Sequence, residues 1–361
     1  MAIAELPYFN FSIFLMKSQY LNKLSTGMSP KIVFFGTSDF AVPGLKSLLN
    51  FGYQIVAVVT QPEKPVGRAR IVTPSPIKKV ASQHHIQVFE PHNLKKDEEF
   101  FNKFKHLNPD LCVVASYGKI IPRRYLEMPR YGFINIHPSL LPKYRGPSPI
   151  QTAIMNSEPA PILSADRYSE SGRDWYGAGE ETGVTIMLMD DQIDHGPILS
   201  SKTYYLLPTT YYPQAEEELA KLGAELMIEV LPQYISGEIQ PREQDHSRAT
   251  FTKIVNRQDG RINWERPAEE IYNQIRALNP EPGPWTIWDG KVLNIKVAEP
   301  SNIACTGKKP GTVEKIGTGE VAVATKKCYL ILRQIQLEGK RETDVRSFVN
   351  GYRDFIGSEL K

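Results

Sequence analysis

The chain has 361 residues and a formal net charge of +3 at neutral pH. With 23% charged and 41% hydrophobic residues it is typical of a globular protein, and the sequence has no apolar run of the 18 or more residues that a membrane span needs. The three cysteines, Cys112, Cys305 and Cys328, are widely separated and form no CxxC pair. They fit a reducing compartment, and we expect buried or inert thiols.

The N-terminus differs in character from the rest of the chain. Residues 11–16 are mostly apolar, but no basic segment precedes them and no small-residue cleavage site follows, which argues against a secretory signal. A transit peptide is the weaker alternative, because this segment has no arginine. We therefore predict that residues 1–30 are a disordered extension or reflect an upstream start codon, with the working protein beginning near Met28.

Apolar strands dominate the next 200 residues. They are continuous rather than alternating, as strands buried on both faces require, and helical or loop segments separate them. This order predicts a Rossmann-like α/β domain over residues 31–235, with a mostly parallel sheet and right-handed crossovers. The predicted strands are Lys31–Gly36, Gln54–Thr60, Asp110–Ala115, Gly132–Ile136 and Thr182–Met189.

The character of the chain changes after the amphipathic helix predicted over Gln214–Ile235. Residues 236–248 are polar and predict a linker. Residues 249–361 contain a helical segment and then short strand-like segments separated by turn residues, which predict a small OB-like β-barrel.

Two common cofactor classes are disfavoured. The first strand runs into FFGTSDF, which lacks the later glycines of a GxGxxG fingerprint, so we expect no NAD. The seven histidines include no HExxH, and His84 and His85 are adjacent rather than one helical turn apart, so we expect no metal site.

The segment FINIHPSLLPKYRG, residues 133–146, raises a chemical question. Asn135 and His137 stand two apart at a strand end, so their side chains should share one face. An amide can donate to a developing oxyanion and an imidazole can move protons near neutral pH, although such a pair can also serve backbone hydrogen bonds only.

A carboxylate after the next predicted strand could act together with this pair. Asp194 follows Val184–Met189, and Asp190 and Asp191 compete with it for the role. Together, Asn, His and Asp suit acyl transfer to an amine through a tetrahedral intermediate. Because the chain has no GxSxG motif, direct transfer is favoured over an acyl-enzyme.

Longer stretches carry a family resemblance. They are KIVFFGTSDFAVPGLKSLL, TQPEKPVGRARIVTPSPIK, FINIHPSLLPKYRGPSPIQTAI, ETGVTIMLMDDQIDHGPIL, KIVNRQDGRINW and IRALNPEPGPW. The sequence closely resembles the methionyl-tRNA formyltransferase family, from Lys31 to about Tyr352. The Asn-x-His and Ile-Asp-x-Gly segments mark the wider folate-dependent superfamily, and the basic TQPEKPVGR stretch and the C-terminal motifs narrow it to the tRNA enzymes.

The resemblance implies roles for named residues. Asn135, His137 and Asp194 match the catalytic trio, and the formyl donor would be 10-formyltetrahydrofolate. The folate site would be lined by two segments, one after each of two neighbouring strands. These residues are Ser139, Leu140, Leu141 and Pro142, and Ser116, Tyr117, Gly118, Ile120 and Ile121.

The resemblance also implies an initiator methionyl-tRNA substrate. The loop over Gln61–Pro74 would enter the acceptor stem, although a solvated basic loop is the plainer interpretation of its composition. Trp264 and Trp285 are expected in the core rather than as stacking platforms. The residues expected to contact tRNA are Lys64, Arg68, Arg70, Lys143, Arg145, Lys308 and Lys309.

Some questions stay open at this stage. The family has a short turn where residues 157–180 form an insertion, which we interpret as a surface loop that emerges at the start of a strand, away from the chemistry. The rivals are a superfamily enzyme acting on a small-molecule amine, a formylfolate hydrolase and a non-catalytic RNA-binding protein. The resemblance implies a cytoplasmic monomer.

Overall fold

The computed structural model describes residues 29–66, 71–157 and 180–361. Residues 1–28, residues 67–70 with Arg68 and Arg70, and nearly all of the 157–180 insertion lie outside this range, so the predictions made for them are not addressed by it. None of the described helices is both long enough and apolar enough to cross a membrane.

The chain divides into two compact units. The first takes its described residues from Met1–Pro142, Val184–Lys202 and Leu219–Arg248. The second takes them from the ranges Lys143–Gly183, Thr203–Glu218 and Ala249–Lys361.

A seven-stranded sheet organises the first unit, in the order β5-β2-β1-β6-β7-β8-β9. The strands of this half of the chain are β1 Lys31–Gly36, β2 Gln54–Val59, β3 Lys64–Val66, β4 Ile71–Thr73, β5 Val88–Phe89, β6 Leu111–Ala115, β7 Phe133–His137, β8 Glu180–Leu188 and β9 Ile198–Leu206. The helices are α1 Ala41–Asn50, α2 Pro76–Gln83, α3 Glu98–Leu107, α4 Arg123–Leu126, α5 Pro149–Asn156 and α6 Tyr212–Ile235. The mostly parallel α/β sheet is confirmed, because β5, β2, β1, β6 and β7 all pair in parallel.

Strand β8 reverses direction. It runs antiparallel to β7, with His137 opposite Thr185 and Ile134 opposite Leu188. Its amino end therefore lies at the edge where β7 ends. Strand β8, which follows the insertion, therefore begins at the edge nearest to His137 and not at the opposite edge, as a parallel strand would. The insertion itself lies outside the described residues, so its expected position stays a prediction.

Aromatic side chains fill the core of the first unit. The ring of Phe35 lies 5.4 Å from that of Phe133 and 6.1 Å from that of Phe104, and Phe104 also contacts Tyr125 at 5.1 Å. All four are almost fully buried. These contacts fix α3 and α4 against one face of the sheet, since large rings at such distances pack in few arrangements.

The second unit is built on an antiparallel sheet, ordered β10-β11-β14-β13-β12, with β15 paired to β14. The two ends of this sheet are joined by the C-terminus: Lys361 exchanges hydrogen bonds with Ile287 of β10, and Leu360 donates to Gly311 just before β12. The predicted barrel-like C-terminal sheet is confirmed. Its elements are α7 Ala268–Leu278, β10 Trp285–Trp288, β11 Lys291–Ala304, β12 Val313–Ile316, β13 Glu320–Ala324, β14 Cys328–Leu337, β15 Thr343–Asp344 and α8 Val345–Gly351.

Helix α7 anchors the second unit through a buried arginine. The Arg276 guanidinium is 1% exposed and donates to Thr210 O, Ser157 Oγ and Asn273 Oδ1 at 2.7–2.8 Å. Trp264 and Trp285 are 5% and 9% exposed, which confirms their expected core position.

Candidate active site

Asn135 and His137 are the third and fifth residues of strand β7, so their side chains lie on the same face of the sheet. His137 is 4% exposed and Asn135 is half-buried. The strand is held on both sides, since β6 pairs with it in parallel and β8 in antiparallel fashion. A rigid strand therefore presents the amide and the imidazole together, as the sequence predicts.

Asp194 joins this pair. Asn135 Nδ2 donates to Asp194 Oδ1 at 3.3 Å, and His137 Nδ1 lies 3.6 Å from the same oxygen. The two competing carboxylates have other surroundings: Asp190 Oδ2 lies 2.6 Å from His195 Nδ1, and the Asp191 side chain is exposed. The structure thus brings together the three residues that the motifs single out.

The route that brings Asp194 to this point differs from the expected one. Because β8 is antiparallel, its carboxyl end lies beside the start of β7, where Met189 N donates to Phe133 O. Residues 189–197, the Asp194 loop, then fold back toward Asn135. Gly196 permits this return, since a Cβ there would lie 2.1 Å from the Leu188 carbonyl oxygen. Asp194 itself has a positive φ of 46°.

The segment Ser139–Pro142 is pinned by a residue that the sequence reasoning missed. Thr185, fully buried on β8, donates through Oγ1 to Ser139 O at 2.7 Å and accepts from Leu141 N at 3.1 Å. Ser139 and Leu141 are buried, whereas Leu140 and Pro142 are partly exposed. The available signal was a threonine within the apolar run VTIMLM, residues 184–189, because a buried hydroxyl needs partners.

The segment Ser116–Ile121 is also fixed from a neighbouring strand end. Gln61 Nε2 donates to Tyr117 O at 2.8 Å, and Thr37 Oγ1 donates to the same carbonyl at 3.1 Å. Gly118 has a φ of +75°, and a Cβ there would lie 2.6 Å from Gln61 Nε2. Sequence reasoning treated Gln61 only as the start of the basic loop.

This segment presents a mixed surface. Tyr117 and Ile121 are buried, and burial raises the pKa of the Tyr117 hydroxyl well above its ordinary value. Ser116 and Gly118 are exposed, and Ile120 is 81% exposed. An apolar side chain held in solvent by a fixed loop is suited to contacting a flat aromatic ligand.

The chemistry available at β7 is that of acyl transfer. The Asn135 amide and the His137 imidazole both lie within 3.6 Å of the Asp194 carboxylate. This arrangement permits oxyanion stabilisation together with proton transfer. In the described ranges, no group of three or more His, Cys, Asp or Glu side chains is arranged to hold a metal ion.

The basic loop after β2 is a hairpin. Strands β3 and β4 pair antiparallel, with Lys64 opposite Thr73 and Val66 opposite Ile71. Arg68 and Arg70, between these strands in the sequence, lie outside the described residues. The base of the hairpin is fixed by Lys78 Nζ, which lies 2.7 Å from Glu63 and 2.6 Å from Glu90. These two hydrogen-bonded carboxylates raise the pKa of Lys78.

The remaining residues expected to contact tRNA lie in the second unit. Lys143 is exposed, but Arg145 is 3% exposed, with its backbone paired to residues 250 and 252 and its guanidinium 6.0 Å from the Phe251 ring. Lys308 and Lys309 are exposed and each has an acidic partner at 2.6 Å, Glu314 and Glu359 respectively. Their contact with tRNA stays a prediction.

Comparison with known proteins gives the same family from both halves of the chain. Residues 30–231 match the Formyl transferase family, and residues 254–353 match the family described as Formyl transferase, C-terminal domain. Among solved structures, the N-formyltransferase from Helicobacter canadensis, in complex with folinic acid and dTDP-3-aminofucose, shares the fold. It has a TM-score of 0.60 and 18% identity, and the match covers 86% of this chain and 100% of that chain.

Curated relatives show which group of formyl transferases this chain resembles. The methionyl-tRNA formyltransferase of Chloroflexus aurantiacus is 41% identical over 322 residues, which cover 89% of this chain and 96% of the relative. That of Caldanaerobacter subterraneus subsp. tengcongensis is 39% identical over 331 residues, covering 92% of this chain and 100% of the relative. The resemblance inferred from the motifs is confirmed, and the chain belongs to the methionyl-tRNA formyltransferase family of formyl transferases.

Proposed function

We propose that this protein transfers the formyl group of 10-formyltetrahydrofolate to the α-amine of methionyl-initiator tRNA, for translation initiation. The observation that carries the proposal is the convergence of Asn135, His137 and Asp194 in a chain 41% identical to a methionyl-tRNA formyltransferase over 89% of its length. We expect the enzyme to act as a cytoplasmic monomer. The catalytic role belongs to residues 31–235, and residues 249–361 form the tRNA-binding domain.

The trio divides the work of the transfer. The bound folate supplies the formyl carbon. As the amine attacks and the C–N bond forms, the Asn135 amide holds the formyl oxygen and His137 stabilises or protonates the oxyanion of the tetrahedral intermediate. Asp194 orients His137 and assists removal of the amine proton. The bond between the formyl carbon and N10 of folate then breaks, and that nitrogen takes up a proton as tetrahydrofolate leaves.

The attacking amine suits a site of this kind. A free α-amino group has a pKa of about 7.7–8.0, and esterification of the carboxyl group lowers that pKa by withdrawing electrons. A good fraction of the aminoacyl amine is then neutral near pH 7, so the enzyme needs electrostatic stabilisation and proton transfer rather than a strong base.

The donor would lie between the two pinned segments of the first unit. Thr185 holds Ser139–Pro142, and Gln61 holds Ser116–Ile121, so both present fixed backbone groups and partly exposed side chains. The structure of the Helicobacter canadensis relative contains folinic acid, which makes a folate a reasonable ligand for this fold.

The tRNA would contact basic side chains from both units. In the first unit these belong to the hairpin with Lys64, Arg68 and Arg70, whose base is fixed by Lys78. In the second unit Lys143, Arg145, Lys308 and Lys309 are the candidates. Lys308 and Lys309 would exchange their present carboxylate partners for phosphates, a contact that weakens with added salt.

The deciding assay is formyl transfer from 10-formyltetrahydrofolate to methionyl-initiator tRNA, with methionyl-elongator tRNA, free methionine and water as alternative acceptors. We expect selective formylation of the initiator. Formate release without transfer would instead indicate a hydrolase, and transfer to free amines alone would indicate a small-molecule enzyme.

Two substitutions test the catalytic assignment. We expect Asn135→Ala and His137→Ala to abolish transfer while tRNA affinity stays nearly unchanged, because neither side chain belongs to the basic surfaces. A parallel loss of tRNA affinity would show that these side chains serve the fold and would contradict the assignment.

A further inference from the structure

A segment far from the motifs contacts the Asp194 loop. Residues 242–246, the 242–246 segment, lie in the polar stretch predicted as a linker. Arg242 exchanges two backbone hydrogen bonds with Ile198, at 2.7 and 2.9 Å, immediately after the loop ends. His246 stacks on His195 of the loop, with ring centroids 4.0 Å apart and planes at 1°. The segment therefore follows the loop along its length.

Gln244 makes the central contact. Its Nε2 donates to the carbonyl oxygen of Asp194 at 2.9 Å and to that of Gly196 at 2.7 Å. The side chain is 5% exposed, whereas its neighbours Glu243 and Asp245 are exposed. A single planar amide thus holds two loop carbonyls two residues apart, in a setting where unpaired carbonyls are costly.

The loop needs such support at Asp194. This residue has a φ of 46°, the left-handed region that a residue with a side chain adopts only when its surroundings hold it there. The same backbone conformation directs Oδ1 toward Asn135 Nδ2 and His137 Nδ1. Freeing the Asp194 carbonyl would therefore let the peptide rotate and carry the carboxylate away from both.

We propose that Gln244 is a positioning residue for the transfer reaction: it holds the Asp194 backbone so that the carboxylate faces the Asn135–His137 pair. The inference rests on the proposed function, in which Asp194 takes part in transfer. The stacked pair of His195 and His246 supports the outer side of the same loop, where His195 also contacts Asp190 at 2.6 Å.

The test replaces Gln244 with methionine, which keeps length and bulk but donates no hydrogen bond. Gln240→Met is the matched control, because the exposed Gln240 also donates through Nε2 to a backbone carbonyl, that of Gly237, at 3.0 Å. We expect Gln244→Met to lower kcat by about 10- to 100-fold, the cost of a small misplacement of a catalytic group. KM for both substrates, and all parameters of Gln240→Met, should stay at wild-type values.

A double-mutant cycle separates positioning from general destabilisation. If Gln244 acts through Asp194, adding Gln244→Met to Asp194→Asn costs no further activity. Losses that multiply, or a Gln244→Met enzyme with wild-type kcat and only a lower melting temperature, would overturn the inference. Rates are normalised to the concentration of folded protein, so partial unfolding does not hide the result.

A spectroscopic measurement keeps this test independent of the substrate. The imidazole ¹⁵N signals of His137, recorded at one pH, report the nearby carboxylate whether or not the enzyme formylates tRNA. We expect Gln244→Met to shift them in the direction that Asp194→Asn does, and Gln240→Met to leave them in place. Unmoved signals in Gln244→Met would refute the positioning role, whereas absence of transfer by the wild-type enzyme would refute only the proposed function.

Discussion

Replacing Thr185 with valine tests how the Ser139–Pro142 segment is held. Valine keeps the volume of the fully buried side chain but removes the hydroxyl that donates to Ser139 O and accepts from Leu141 N. Each buried backbone group left without a partner costs about 1–3 kcal/mol. We therefore expect a loss of at least about 2 kcal/mol, which lowers the melting temperature of a domain of this size by about 4–8 °C.

The same strand offers a matched control. Thr182 is 2% exposed, and its Oγ1 has no hydrogen-bond partner among the described residues, so Thr182→Val should be neutral or slightly stabilising. Calorimetry of the two variants measures the difference, and a folate titration checks whether the freed loop also weakens donor binding. Equal melting temperatures for the two variants would refute the role given to the Thr185 hydroxyl.

Three further predictions follow from other parts of the molecule. Arg68→Ala should raise KM for methionyl-tRNA far more than it weakens folate binding; equal losses would contradict the role of the hairpin. Gly118→Ala should weaken folate binding because its Cβ would meet a neighbouring amide, whereas Gly52→Ala, equally strained at φ +80° but with open space around it, should not. The pKa of Asp259 is lowered, chiefly by its hydrogen bond with Lys253, and Asp259→Asn keeps an oxygen that can accept from Asn256 N but removes the charge. We therefore expect a loss of about 0.5 kcal/mol at pH 7, typical of an exposed ion pair, and this difference, measured by urea unfolding, should vanish as the pH falls through the lowered pKa.

Local rules account for the part of the site that could be predicted. Asn135 and His137 project together because alternation along a strand depends only on the strand itself. The buried strands of the first unit could also be predicted from local sequence, because a continuous apolar run such as KIVFFG suits burial on both faces of a sheet. Residue type and position after an apolar run gave Asp194 as one of three candidates, with Asp190 and Asp191, and the family resemblance selected it.

Strand direction could not be read in the same way. The apolar run in β8 is equally suitable for parallel and antiparallel pairing, because burial on both faces imposes the same composition. One signal was present. The segment Ile198–Leu206 follows β8 after only a short loop, whereas a parallel connection needs a dozen or more residues. Recognising β9 would have shown that the segment after β8 is a hairpin loop.

The reversed strand explains why the aspartate needs help from a distant part of the chain. A side chain at the carboxyl end of a parallel strand inherits its position from the sheet, as those of Asn135 and His137 do. Asp194 instead lies in a loop that returns over the sheet, where β8 and β9 fix only its two ends. Its backbone conformation must therefore be held by contacts outside the sheet, and Gln244, fifty residues later, supplies them. Residues that position the aspartate are consequently found in the polar segment after α6 rather than beside the motif, which is why a search along the motifs passes over them.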